Sequence, residues 1–236
     1  MSIFATSKQW RDAVSEWEGI GDCPAKKNRP FRTGFKVLEN DFLEKYLATA
    51  HWSLPGLWAI PLMTYLLYRA ALVVGHSPVT IGSLFVCGIL GWTLFEYWLH
   101  RWIFHLRPSE NPLIRTVQFM LHGYHHEFPE DPSRLVAPLV MAVPIFVILT
   151  TVVVLCFPAG WTGILAGTLF GYACYDWVHY YSHHGNQKTA LGRLMRRNHM
   201  AHHYRDASIH FGLSSPLWDV AFHTYRDKPG HIKAKV

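Results

Sequence analysis

The chain has 236 residues, of which 50% are hydrophobic, 15% are aromatic and only 16% are charged. This length suits a single domain with a substantial core, and the balance is too apolar for a typical water-soluble domain, so it favours a membrane protein. We interpret the formal net charge of +6 as basic residues that face an anionic lipid surface on the cytosolic side, and not as a nucleic-acid-binding surface.

Residues 1–53 precede the first long apolar run and contain two amphipathic patterns, joined by a basic linker rich in proline and glycine at residues 21–34. The apolar side chains between residues 3 and 20 follow one helical stripe, which suits either a helix lying in the membrane interface or a core helix of a small soluble cap. Residues 40–51 predict a second short amphipathic helix. We therefore expect a cytosolic or interfacial N-terminal segment ahead of a membrane domain at residues 54–236.

Four apolar runs predict transmembrane helices, because each has about the twenty residues needed to cross a hydrocarbon layer of ~30 Å at ~1.5 Å per residue. Short uncharged turns join the first run to the second and the third to the fourth. The runs are therefore expected to form two hairpins. The predicted spans cover residues 54–74, 79–99, 135–157 and 159–181.

Lysine and arginine are distributed very unevenly around these runs. Eight of the 22 precede the first run, four separate the second from the third, nine follow the fourth, and Arg69 lies within a run. Because cytosolic loops collect basic residues, this distribution predicts that both chain ends and the middle loop are cytosolic. The predicted architecture is an all-α integral membrane protein with a cytosolic helical cap at residues 100–134 and 182–236, in a bacterial inner membrane or in the endoplasmic reticulum.

Ten of the 16 histidines occur in four spaced clusters, all on the predicted cytosolic side. Two clusters are pairs that end the second and fourth runs, and two have the pattern His-x-x-His-His. Residues three or four apart share a helix face, so the imidazoles of such a cluster are expected to converge on one ion, whereas a spacing of five requires the helix to widen or end in between. The expected ligands are His100, His105, His122, His125, His126, His179, His183, His199, His202 and His203.

Ten imidazoles suit two ions with about five or six ligands each and exceed the needs of one tetrahedral zinc ion. All-nitrogen ligation suits iron, zinc, copper or nickel and does not choose among them. The dimetal site is therefore predicted in the cap, with the identity of the metal open.

Other polar residues lie close to these clusters. Glu96 and Asp176 each precede a histidine pair by about one turn, and we expect them either to orient imidazoles or to pair with nearby cations. Four tyrosines are expected either to line a route for an acyl chain or to form an interfacial belt: Tyr172, Tyr175, Tyr180 and Tyr181. Solitary histidines are interpreted as ordinary polar residues, namely His51, His76, His210 and His231, while His184 and His223 stay open.

The motifs HRWIFH, LHGYHH, YDWVHYYSHH and HMAHHYRDASIHFGLSSPLWD resemble, in this order, those of the fatty acid hydroxylase and sterol desaturase superfamily of membrane oxygenases. The further stretches EYWLHRWIFH and DPSRLVAP most resemble the fatty acid 2-hydroxylase branch, which acts on the N-acyl chains of sphingolipids. The resemblance covers about residues 90–226.

This resemblance implies a membrane-bound non-haem diiron monooxygenase that hydroxylates C2 of a fatty acyl chain, most simply the N-acyl chain of ceramide. It implies two iron ions held by the ten histidines, with zinc as a substitute in a purified or crystallised form, and O2 as co-substrate. Many eukaryotic members of the branch carry a cytochrome b5-like domain, but the printed sequence has no His-Pro-Gly-Gly haem motif, no glycine-rich dinucleotide fingerprint and no cysteine cluster. We therefore expect an external electron donor, such as cytochrome b5 or ferredoxin with its reductase.

Other classes of function stay open at this point. Sibling oxygenases, such as sterol desaturases and carotenoid hydroxylases, are the nearest alternative. A zinc-dependent membrane hydrolase is a second, with Glu127 beside His126 as the candidate base. A metal transporter is disfavoured, because the apolar runs carry few ionisable residues at mid-span.

Overall fold

The computed structural model describes residues 5–20 and 35–226. Within these ranges every named element is a helix, and the one extended contact is an isolated antiparallel bridge between Thr6 and Leu38. The all-α prediction is therefore confirmed for this part of the chain. The basic linker with Cys23, and the solitary His231, lie outside the described residues.

The described α-helices follow the predicted order. They are α1 (Lys8–Glu16), α2 (Asp41–Leu43), α3 (Leu54–Tyr68), α4 (Pro78–Trp98), α5 (Pro112–Gln118), α6 (Tyr124–Glu127), α7 (Leu139–Cys156), α8 (Trp161–His184), α9 (Ala190–Tyr204) and α10 (Leu217–Ala221). Four of them continue into wider π-helical turns: α2 into Glu44–Ala48, α3 into Arg69–Val73, α4 into Leu99–Phe104 and α5 into Phe119–Gly123. A single 3-10 turn at Pro132–Arg134 precedes α7.

Among the described residues, three helical stretches are long and apolar enough to cross a membrane: Leu54–Val73, Pro78–Phe104 and Pro132–Cys156. They match the first three predicted runs. The helix α8 takes the place of the fourth run and has 24 residues, but it also carries Asp176 and three histidines near its end. Its crossing of the membrane remains a prediction.

The helix α8 is the central packing element. It packs mainly against α4 and α3. The helix α4 therefore contacts α8 far more than it contacts α3, to which a short turn joins it. At the contact of α4 with α8, a Cβ atom on Gly88 would lie 2.0 Å from the Ile164 carbonyl oxygen, and one on Gly167 would lie 2.0 Å from the Phe85 carbonyl oxygen. Small residues of this kind let helix backbones touch, as is common between transmembrane helices.

The helix α1 belongs to the cap core. Its residues Trp10 and Val14, followed by Trp17, are buried against Phe119 and Tyr124. The side chain of Arg115 donates to the carbonyl oxygens of residues 14, 15 and 17, where the last turn of α1 leaves acceptors unpaired. The burial of both tryptophans in the cap agrees with the interpretation of residues 3–20 as a core helix of the cap, while the position of this helix relative to the membrane interface stays a prediction.

A buried ion pair joins the N-terminal segment to the cap. The Arg134 guanidinium pairs with Glu44, whose other oxygen accepts from the Val37 and Leu38 amides at 3.0 and 2.9 Å. The same guanidinium lies 4.7 Å from the ring centre of Tyr124. Because Tyr124 directly precedes two of the clustered histidines, this contact network helps to fix the position of α6.

Candidate metal centre

Four helix ends bring the ten clustered histidines together. One pair comes from the π-helical turn after α4, one from the last turns of α8, and the two triplets come from α6 with the turn before it and from α9. His100 and His105 are five residues apart, and the backbone between them is π-helical, with the i to i+5 pattern that places such residues on one face. The predicted widening of the helix is therefore confirmed.

The ten imidazoles form two groups of five. Within each group, ligand nitrogens lie within 4.8 Å of one another. One group comprises His100, His105, His122, His126 and His202, and the other comprises His125, His179, His183, His199 and His203. We call them the first and second histidine groups. Eight members are buried, and His105 and His183 are half-buried.

Each histidine triplet is divided between the two groups. His122 and His126 belong to the first group and His125 to the second, while His199 and His203 belong to the second and His202 to the first. The expectation that all three converge on one ion is wrong. Consecutive helical residues point ~100° apart, so the residue at i+3 diverges from that at i+4, and each triplet contributes two imidazoles to one group and one to the other.

The nitrogen spacing within the groups suits shared metal ligation. In the first group, the Nε2 atom of His122 lies 3.0 Å from those of His100 and His126, and His105 lies 3.2 Å from His202. In the second group, the corresponding distances are 2.8, 2.8 and 3.1 Å, for the pairs His125–His179, His183–His199 and His199–His203. Two nitrogens each ~2.1 Å from one ion lie ~3.0 Å apart at a right angle and ~3.4 Å apart at a tetrahedral angle. These pairs are therefore close enough for both nitrogens to bind one ion.

Two backbone carbonyls determine the tautomers of two members of the first group. The Nδ1 atoms of His100 and His202 each lie 2.7 Å from a carbonyl oxygen, of Phe211 and Ile209 respectively. A carbonyl only accepts, so each Nδ1 must carry the proton and each Nε2 must present its lone pair to the group. Both imidazoles are therefore already in a metal-binding tautomer.

The segment that supplies these carbonyls is held by two buried carboxylates. Asp219 accepts from the amides of Phe211 and Gly212, both at 2.8 Å. Glu96 accepts from the Ser214 amide at 2.9 Å and from its hydroxyl at 2.6 Å. Glu96 thus reaches the first histidine group through this segment. No sequence pattern indicates a role for Asp219 or for the two carbonyls, and only the motif FGLSSPLWD marks the region.

The cap histidines are held in their neutral form. Burial, with a further contribution from neighbouring imidazoles, lowers the pKa of each well below its usual value, at His122, His125, His126, His199, His202 and His203. Neutral imidazole is the form that binds metal. The chemistry of the donor set, its spacing and its tautomers therefore all fit a pair of transition-metal ions.

An apolar cavity adjoins both groups on the side of the predicted spans. His122, His125 and His179 line it, together with side chains of α7 such as Ala142 and Phe146. Tyr172, Tyr175, Glu96 and Asp176 also line it, whereas Tyr180 and Tyr181 are not among its lining residues. Tyr181 is 44% exposed, and the Tyr180 ring contacts those of Trp52 and His184.

The solitary histidines within the described residues lie outside both groups. The side chains of His51, His76 and His210 contact Ser53, the Ala159 carbonyl and the Arg226 carbonyl respectively. His184 and His223 are exposed. These positions agree with the interpretation of the first three as ordinary polar residues.

The fold and the site define a class of protein: a helical membrane protein with a histidine-only centre beside an apolar cavity. The sequence model of a family described as fatty acid hydroxylase matches residues 85–224. The chain is 37% identical over 195 residues to a dihydroceramide fatty acyl 2-hydroxylase of Arabidopsis thaliana, covering 81% of this chain and 80% of that relative. The chain belongs to the fatty acid hydroxylase family, and the predicted resemblance is confirmed.

Further comparisons agree with this assignment. A fatty acid 2-hydroxylase of Rattus norvegicus is 37% identical over 219 residues, which cover 84% of this chain and 58% of the longer relative. A solved structure described as full-length scs7p, with only the hydroxylase domain visible, aligns with a TM-score of 0.75 at 28% identity and covers 97% of this chain and 94% of that chain. The aligned part of the chain therefore covers 58% of the Rattus norvegicus relative and 94% of the solved scs7p chain, in which only the hydroxylase domain is visible.

Proposed function

We propose that this protein is a membrane-bound monooxygenase that hydroxylates C2 of a fatty acyl chain, most simply the N-acyl chain of a ceramide. The observation that carries the proposal is the position of two five-histidine groups directly against an apolar cavity. The Arabidopsis relative is named for the same reaction on dihydroceramide, which favours an amide-linked acyl chain over a sterol or a carotenoid.

The first histidine group would hold one iron ion and the second group the other, with zinc as a substitute after purification. Nitrogen ligation alone does not select iron, but five imidazoles in each group suit an ion with five or six ligands better than tetrahedral zinc. Such a metal pair supplies the activation of dioxygen that an unactivated C–H bond requires, since no side-chain acid or base can break that bond. The overall reaction consumes one O2, two electrons and two protons, and it yields the hydroxyl group and one water.

The chain itself selects the carbon that is attacked. The histidine groups lie at the cap ends of α4 and α8, so the reacting carbon must come close to the membrane surface. A lipid keeps its polar head there, because burying an unpaired amide in hydrocarbon costs several kcal/mol. The carbon next to the carbonyl therefore reaches the cavity with the least displacement of the lipid, whereas a mid-chain carbon would have to be drawn into the cap.

The membrane arrangement that goes with this proposal has four spans, with α8 as the fourth. The cap, including the described N-terminal residues, then lies in the cytosol, and residues 54–236 form the hydroxylase domain. The supporting observation is the absence of lysine and arginine from the two turns opposite the cap. An electron donor, separate or fused, would meet the cap from the cytosol.

Lipid analysis of cells with and without the gene tests the proposed function. Mass spectrometry is expected to show one added oxygen on the acyl part of sphingolipids, with fragments that place it beside the carbonyl. The same cells expressing His202→Ala are the control and should lack this product. Mid-chain hydroxyl groups, new double bonds or oxygenated isoprenoids would instead assign the protein to a sibling oxygenase.

A further inference from the structure

In the described part of the chain, two residues other than glycine have a positive φ, and both are histidines of the cap. The φ angle is 56° at His210 and 59° at His223. This left-handed conformation crowds the Cβ atom that glycine lacks, so it persists only where the surrounding contacts impose it, and such residues cluster at functional sites. Neither histidine belongs to a histidine group, so a different role has to explain the conformation.

His210 lies between the two residues whose carbonyls set the tautomers of the first histidine group. The Ile209 carbonyl oxygen lies 2.7 Å from the Nδ1 atom of His202. The Phe211 carbonyl oxygen lies 2.7 Å from the Nδ1 atom of His100. Rotation about the N–Cα bond of His210 relates the peptide group that holds the first carbonyl to the chain that holds the second. Its φ angle therefore determines the direction of one carbonyl relative to the other.

Hydrogen bonds on the amide side impose this conformation. The His210 amide donates to the Thr224 carbonyl at 3.0 Å. The next two amides, of Phe211 and Gly212, donate to the Asp219 carboxylate, each at 2.8 Å. Each peptide group that presents a carbonyl to an imidazole is thus also bonded at its N–H. A change of φ at His210 would break one of these bonds or turn one carbonyl away from its imidazole.

His223 forms the turn that places the acceptor of the His210 amide. It directly follows the C-cap of α10, and its left-handed backbone lets the Thr224 amide donate to the Asp219 carbonyl at 2.8 Å. This is the hydrogen-bond pattern of a Schellman motif, in which the left-handed position is usually glycine. The Thr224 hydroxyl also donates to the Asp219 carboxylate at 2.7 Å. The two left-handed residues therefore act on the same stretch of backbone.

We propose that His210 is a positioning residue of the first histidine group, and that its left-handed backbone, not its imidazole, performs this role. It holds the Ile209 and Phe211 carbonyls in the directions that keep the Nδ1 atoms of His100 and His202 protonated. Both Nε2 lone pairs then face the ion site. The inference rests on the proposed function only in that the first group holds an ion, and it is independent of the substrate.

Paired substitutions at position 210 separate the backbone from the side chain. His210→Asn and His210→Val both remove the imidazole and its contact with the Arg226 carbonyl, and they introduce side chains of similar size. Asparagine adopts the left-handed conformation readily, whereas β-branched valine does not. Titration of the metal-free full-length protein with cobalt(II), followed by visible absorption, measures the affinity. We expect His210→Val to weaken the first site about 10- to 100-fold, as loss of an outer partner does, and His210→Asn to retain it.

Two backgrounds assign the effect to one histidine group. His199→Ala leaves the first group complete, and His202→Ala leaves the second complete. Added to them, His210→Val should weaken cobalt(II) binding in the first background and leave it unchanged in the second. The matched control is His76→Val, which removes a solitary histidine whose Nε2 also contacts a carbonyl, of Ala159 at 2.8 Å, but whose φ is not positive. It should leave both sites unchanged.

Three outcomes would overturn the proposal. Unchanged affinity in His210→Val would show that the left-handed backbone does not position the carbonyls. Equal losses in His210→Asn and His210→Val would assign the role to the imidazole, and equal losses in the two backgrounds would show a general destabilisation of the cap. If His210→Val does not fold, His223→Val compared with His223→Asn, at an exposed position, decides in the same way. Failure of the proposed function has a different signature, namely an unchanged protein that binds two cobalt(II) ions and, loaded with iron, forms no 2-hydroxylated lipid.

Discussion

At the scale of single residues, the decisive feature is how the ten imidazoles are divided. Sequence spacing predicted all ten imidazoles that the structure brings together, because helical periodicity is a local property, and the spacing of five between His100 and His105 indicated the widened turn. It did not indicate the division of each triplet, since that depends on where the other helices stand. No sequence pattern indicated that the carbonyls of Phe211 and Ile209 set imidazole tautomers, because every residue carries a carbonyl.

The divided triplets predict which paired substitutions remove one ion and which remove both. Replacing His100 and His202 by Ala affects the first histidine group alone, so the protein should retain about one metal ion per chain. Replacing His199 and His202 affects one ligand in each group, although the number of lost imidazoles is the same. Elemental analysis should then show a loss of both ions. Equal metal content in the two variants would contradict the grouping.

Asp219 is predicted to act as a positioning residue for the first group. In Asp219→Asn, one amide of the Phe211 segment loses its acceptor, so the carbonyl that fixes His100 shifts. Outer partners of this kind typically change metal affinity by about 10- to 100-fold. Metal titration should show one weakened site and one unchanged site. Asp206→Asn is the matched control, because Asp206 caps an exposed turn at Ser208 in the same part of the chain, and it should leave both sites unchanged.

At the scale of helices, the packing of α4 against α8 sets the distance between the histidine pairs that end them. Apolar run lengths predicted both helices, but not that α8 would pack mainly on α4 and α3, since uniformly apolar helices do not indicate their partners. The glycines at the contact become interpretable only once the neighbouring backbone is known. The sequence likewise did not indicate which surface α1 packs on, because an apolar stripe with two tryptophans suits a membrane interface as well as a cap core.

Gly167→Ala tests this packing. Its added methyl group would meet the Phe85 carbonyl, so the two helices must separate, and overpacking of this kind typically costs about 1–3 kcal/mol. We expect a lower melting temperature and weaker metal retention. Gly91→Ala on α4 is the control, because a Cβ atom there has nothing within 4 Å. A Gly167→Ala protein as stable as Gly91→Ala would show that the helices do not touch at this point.

At the scale of the whole molecule, charge placement and apolar length predicted a membrane protein with a helical cap, and the family assignment followed from motifs that fold into one centre. The four-span topology remains a prediction. In a protein without its native cysteines, a cysteine at Ser77, in the turn between α3 and α4, should react with an impermeant reagent applied to the side of the membrane away from the cytosol. A cysteine at the exposed Ser208 of the cap should react only after the membrane is opened. Labelling of the Ser208 cysteine and not of the Ser77 cysteine in the intact membrane would show that the predicted orientation is wrong.

The central claim is that this protein inserts one atom of dioxygen at C2 of a lipid acyl chain. The most direct measurement is a reaction of the iron-loaded protein in nanodiscs with a ceramide, a chemical reductant and isotopically heavy O2. The account predicts one heavy oxygen atom in the product, on the carbon beside the carbonyl, and no heavy atom when the label is supplied in water instead. Label from water, or oxygen on any other carbon, would contradict it.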